Sequence, residues 1–134
     1  MNVLKYIPFF SYLLIAYNIL AFAGNQQSAL NLIIFTSTLI SGAVISLSVE
    51  NILIMIGIFC LYFDILKSTR NSSASIIGHV LSMLVFVIFL IEYITVKPLG
   101  TASFLILTIM SMTDVIAGFT VSISAARRDI TVER

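Results

Sequence analysis

Phe35-Thr36-Ser37-Thr38-Leu39-Ile40-Ser41-Gly42-Ala43-Val44-Ile45-Ser46-Leu47-Ser48-Val49 is the stretch on which the organisation of this chain turns. It lies inside an uncharged run, 29–49, that is long enough to cross a membrane as a helix. Its pattern argues otherwise. Ile45 to Val49 alternates apolar and hydroxyl side chains, as a half-buried strand does. The segment from Phe35 to Ile40 is rich in β-branched residues, which favour strands. Ser41-Gly42 stands between them as a two-residue turn. A β-hairpin lying on the membrane surface or over a helix bundle fits this pattern, whereas an open hairpin inside lipid would leave its edges unpaired. A fifth helix is the alternative, and it leaves almost no residues to turn before Asn51.

Outward from that stretch the chain is overwhelmingly apolar. Of its 134 residues 60% are hydrophobic and 10% charged, against roughly 25% charged in an ordinary soluble domain. A soluble fold of this size could not hide so much apolar surface. Four stretches approach the roughly 20 apolar residues that a bilayer core requires: 3–23, 51–66, 75–96 and 101–125, with 51–66 on the short side. Polar residues close the first, Glu50 and Asn51 can cap the second, and Pro98 and Gly100 break the chain before the fourth. The fold class expected is an all-α membrane protein, a single domain over 1–134. Its core is a four-transmembrane-helix bundle, with a short β-hairpin in an extracytoplasmic segment, 24–50, between helices one and two.

Charge placement favours four spans over five. With the Arg127-Arg128 tail inside, four spans put Lys5, Lys67, Arg70, Arg127, Arg128 and Arg134 inside and Lys97 outside. Five spans would move Lys5 outside. Both termini are therefore expected in the cytoplasm. Lys5, the following apolar run and Ala21-Phe22-Ala23 also match a cleavable signal peptide; an uncleaved first helix is the reading carried forward.

Charges inside apolar helices cost at least about 2.5–3.5 kcal/mol and call for a reason. Asp114 lies about thirteen residues into the fourth stretch, roughly 20 Å deep and near the midplane. Gly118, Ser122 and Ala126 follow it at steps of four on one face, a small-residue packing stripe. This face is expected to meet either its own bundle or a partner helix, with Ser11, Tyr12 or Ser82 at reachable depth. Asp114 there is either a proton or cation relay or a hydrogen-bonded structural carboxyl. Asp64 and His79, at similar depth on sequential helices, form a second candidate relay; Lys67, three residues from Asp64, competes as its partner. Glu92 is close in depth to Asn18 and can snorkel to the interface. Gly57, Cys60 and Asp64 share one face, as do Gly78 and Ser82, and both faces read as close helix contacts. Lys67, Arg70, Arg127 and Arg128 form a basic edge that could hold lipid headgroups, though positive-inside topology alone accounts for them.

The sequence contains no phosphate-binding loop, no HExxH and no nucleophile elbow. The lone Cys60 and lone His79 cannot build a cysteine or two-histidine metal site within one chain. No cofactor, no metal and no nucleic acid is expected. Three blocks carry a resemblance: Asp64-Ile65-Leu66-Lys67-Ser68-Thr69-Arg70, His79-Val80-Leu81-Ser82-Met83-Leu84-Val85-Phe86, and Asp114-Val115-Ile116-Ala117-Gly118-Phe119-Thr120-Val121 with Ala126-Arg127-Arg128-Asp129 beyond it. Together they resemble a family of small bacterial inner-membrane proteins. The resemblance covers the second half of the chain; it implies a bacterial inner membrane and brings no activity or substrate. The leading functional expectation is a non-enzymatic accessory or assembly subunit, partnered by the lipid bilayer and by a larger membrane complex or further copies of itself. The alternative is a small proton- or cation-coupled transporter or channel using Asp114.

Overall fold

A backbone without water to bond must satisfy itself, and a helix does so residue by residue. In the computed structural model four apolar runs are helical: α1 (Phe9–Ala23), α2 (Val49–Ser68), α3 (Ser73–Thr95) and α4 (Ala102–Val132). The structure describes residues 7–23, 29–68 and 73–132; the side chains of 68, 73–75, 122 and 125–132 lie outside that description. Among the described residues three helices, α2, α3 and α4, are long and apolar enough to cross a membrane, while α1 is an apolar helix of 15 residues.

The ends of the helices differ from the sequence reading for local reasons. α1 begins at Phe9, not at residue 3: Ile7 and Pro8 are non-helical, and the Pro8 carbonyl accepts the Ser11 N–H at 3.1 Å and the Ser11 hydroxyl at 2.7 Å. Residues 3–6 and 24–28 lie outside the described ones. α2 begins at Val49, because a strand feeds it without a linker. The N–H groups of Val49 and Glu50, which no helical carbonyl can reach, go to Leu32 O at 3.0 Å and Leu30 O at 3.1 Å. Asn51 Oδ1 reaches back to the Ser48 N–H at 3.0 Å and the Ser48 hydroxyl at 2.9 Å, half of a capping box. α4 is capped by Thr101, whose Oγ1 accepts the Phe104 N–H at 3.2 Å, and runs on to Val132. Apolar length does not bound a helix, and Ala126, Arg127 and Arg128, good helix formers, carry it past 125.

Between α1 and α2 stands the hairpin, β1 (Ile33–Thr38) paired antiparallel with β2 (Val44–Ser48). Phe35 faces Leu47, Thr36 faces Ser46, Ser37 faces Ile45 and Thr38 faces Val44, with a bulge between Ile33 and Phe35. The turn is one residue longer than Ser41-Gly42. Leu39 N–H bonds Ala43 O at 2.8 Å and Gly42 N–H bonds Leu39 O at 2.9 Å, so Ile40, Ser41 and Gly42 form the loop. Gly42 has φ 92°, the left-handed conformation that a three-residue loop needs to restore the strands' twist.

All four helices contribute to one core. Phe10, Leu13 and Tyr17 of α1, Leu53 of α2, Val85 and Phe89 of α3, and Phe104 and Leu107 of α4 are buried together with Leu30 and Leu99. Its centre is aromatic: Phe89 and Tyr17 stand 5.2 and 5.0 Å from Phe104, centroid to centroid. The Tyr17 hydroxyl is hydrogen-bonded to Thr101 Oγ1 at 2.6 Å, which pins α1 to the start of α4.

Candidate functional site

The inward stripe of α2 is Leu53, Gly57, Cys60 and Asp64; that of α4 is Phe104, Leu107, Ser111, Asp114, Val115 and Gly118. Each follows the three- and four-residue steps of a helix face. Gly57 sets how these stripes meet. A Cβ built there would stand 2.8 Å from Met110 Cε, 3.0 Å from Leu107 Cδ2 and 3.5 Å from Leu13 Cδ1. Two turns beyond Gly57 comes Asp64, and two turns beyond Leu107 comes Asp114. Because α2 and α4 run in the same sense, the close crossing at Gly57 brings the two acids together further along.

Both carboxyl groups are buried, Asp64 with 7% and Asp114 with 5% of its surface exposed, and the two side chains lie within reach of each other where α2 packs on α4. Asp64 is held from a second side by α1. Its Oδ1 accepts the Phe9 N–H at 3.2 Å, at the helix end where backbone donors are free and negative charge is favoured. Lys67 Nζ lies 4.0 Å from the same oxygen, donates to Ile7 O at 3.3 Å and sits 4.6 Å over the Phe9 ring. Asp64 Oδ2 is buried and receives no N–H or hydroxyl donor among the described residues. A hydrogen bond between two carboxyl groups requires a proton on one of them. The donors converge on Asp64: the Phe9 N–H and the Lys67 ammonium both approach its Oδ1. Cys60, one turn before Asp64, lies near both carboxyls.

This arrangement differs from the sequence reading at several points. Asp114 was expected near the midplane opposite Ser11, Tyr12 or Ser82. It meets Asp64 instead, and Asp64 is one turn, about 6 Å, from the end of α2. The site is therefore near the end of α2, while on α4 it lies three residues from the helix's midpoint. Asp64 and His79 are not brought together: the His79 ring stacks on Phe119 of α4 at 5.1 Å and 20°, while Asp64 turns to α1 and α4. α2 and α3 are consecutive, but the register at Gly57 binds α2 to α4. Gly118 is buried on the Asp114 face; the side chains of Ser122 and Ala126 lie outside the described residues. That face packs inward as far as it is described. Lys67 is engaged by Asp64, Ile7 and Phe9. Arg70 lies outside the described residues, as do the side chains of Arg127 and Arg128. Glu92 Oε1 accepts a hydrogen bond from Asn18 Nδ2 at 2.9 Å. A Cβ at Gly78 would meet nothing within 4 Å, so Gly78 is no close contact. Among the described residues no group of three or more His, Cys, Asp or Glu side chains could hold a metal ion.

Sequence reasoning missed the Asp64–Asp114 pair and the role of α1 in holding it. One signal was available: each is the only acid within its predicted span, and a lone acid in an apolar helix seeks another helix.

No family model, curated protein or solved structure matches this chain. The resemblance of the three blocks gains no support from these comparisons.

Proposed function

We propose that this chain is a small multi-pass membrane protein that takes up and releases a proton at the Asp64–Asp114 pair, as a proton- or cation-coupled carrier or channel. The observation that carries this reading is the contact of two buried carboxyl groups within helices of membrane-crossing length. In the proposed topology all four helices span a bacterial inner membrane, with both termini in the cytoplasm and the hairpin outside, as the positive-inside bias favours. The pair then lies one turn from the cytoplasmic end of α2. Lys67, with 37% of its side chain exposed, stands between the pair and water at the proposed entry to the site.

Loss of the shared proton would leave two like charges in contact. At an effective dielectric near 20 that repulsion is worth about 4 kcal/mol at about 4 Å, enough to part α2 from α4 or to draw Lys67 inward. Protonation is thereby coupled to helix spacing, the elementary requirement of a proton-driven change of shape.

The test is proton entry into vesicles of purified protein bearing a trapped pH dye, under an imposed gradient. The chain should conduct above empty vesicles, and Asp114→Asn should remove the excess while inserting normally. Equal signals from the native chain and empty vesicles, or from the native chain and Asp114→Asn, would overturn the reading. A second reading, an accessory subunit of a larger membrane complex, draws on α3, only 11% of whose apolar window is buried, against 39% for α4. A stoichiometric larger partner after purification at native expression level in mild detergent would favour it.

A further inference from the structure

We propose that the β1–β2 hairpin is a membrane-interface anchor, laying its apolar face and tip into the headgroup–acyl boundary of the leaflet where α2 begins. The inference rests on α2 being a membrane span. The register sorts the hairpin's side chains: Phe35, Ile45 and Leu47 share one face with Ser37, and Thr36, Thr38 and Ser46 share the other with Val44. The tip adds Leu39 and Ile40, the latter as exposed as an isolated residue, at 109%. Leu32, Ile33, Ile34 and Phe35 are each more than half exposed.

Three observations choose lipid as the occupant. First, exposed apolar surface resumes on α2 beyond the hairpin: Leu32 O bonds the first helical N–H at Val49, and past the less exposed 49–54 Met55 and Ile56 face outward. Second, no charged residue occurs between Lys5 and Glu50. Soluble proteins guard open strand edges with charge; this hairpin carries none, and headgroups with their water can bond its edges where hydrocarbon could not. Third, the hairpin cannot float freely. Its base is tied by Leu30, fully buried in the core, and by the Ser48–Asn51 hydrogen bonds at the start of α2. Attraction without charge should be indifferent to the charge of the lipid.

The chain has no tryptophan, so a single introduced tryptophan reports its own surroundings. Ile40→Trp, Thr36→Trp and Leu84→Trp are reconstituted in phosphatidylcholine vesicles with lipids brominated near the carbonyl or near the chain end. An interfacial segment sits about 5–10 Å into the boundary, so Ile40→Trp should be quenched roughly twofold more by the shallow than by the deep bromines. Thr36→Trp should be quenched less than Ile40→Trp. Leu84→Trp, on the exposed side of α3, should respond most to the deep bromines. If Leu84→Trp is quenched and Ile40→Trp is not, the anchor is refuted and the span stands. Water-like emission at Ile40→Trp would then mean a solvated hairpin, and unquenched blue-shifted emission a cover of protein, a second copy included. If Leu84→Trp also escapes quenching, the membrane reading falls with it.

Discussion

Replacing Asp114 separates a proton-bearing hydrogen bond from simple filling of space. Asp64 Oδ2 has no N–H or hydroxyl donor among the described residues, and the proposed shared proton on Asp114 would supply one. Asp114→Val removes that donor and leaves a buried, charged acceptor unpaired. An unsatisfied buried acceptor costs about 1–3 kcal/mol and more when charged, and the extra bulk beside a 5%-exposed position adds to the loss. A total of about 2 kcal/mol or more is expected, roughly a thirty-fold shift of the folding equilibrium. Asp114→Asn keeps the shape and offers an amide N–H to the same oxygen, so it should cost about 1 kcal/mol or less. Adding Asp64→Asn to Asp114→Val removes the stranded charge and should recover part of the loss, a coupling of about 0.5–3 kcal/mol. The assay is reversible unfolding by sodium dodecyl sulfate in mixed micelles, followed by helical circular dichroism. Equal costs for Val and Asn, or no cost for Val, would refute the shared-proton geometry.

Two further outcomes follow from contacts away from the pair. Thr101→Val deletes both the α4 cap and the partner of Tyr17 and should lower stability by about 1–2 kcal/mol, while Tyr17→Phe should cost about 1 kcal/mol; in the same unfolding assay the double variant should fall short of their sum. Gly57→Leu should push α2 off Met110 and Leu107, costing about 1–3 kcal/mol or more. It should also shift the infrared carbonyl band of a protonated carboxyl, which Asp114→Asn alone should remove at a smaller cost in stability.

What could be read from the residues was periodicity and composition. The alternation at Ile45–Val49 and the β-branched run before Ile40 identified a hairpin in a stretch long enough for a helix. The apolar runs located four helices, because helix formation answers largely to local sequence. Boundaries were harder, since Pro8, the strand leading into Val49 and the polar continuation past 125 act through neighbours and caps more than through hydropathy. Asp64 and Asp114 stood out singly, as acids in apolar helices, but nothing along the chain said that they meet.

That meeting is a tertiary decision. Consecutive helices joined by a short loop suggest themselves as neighbours, which pointed Asp64 towards His79. The side chain missing at Gly57 lets α2 approach α4 instead, and two turns of shared direction convert that approach into a carboxyl contact. α1 then ends its free N–H groups on the same carboxylate. Which residues dislike lipid is a property of each side chain and is written in the sequence; which of them satisfy one another depends on helix register, and only packing sets it.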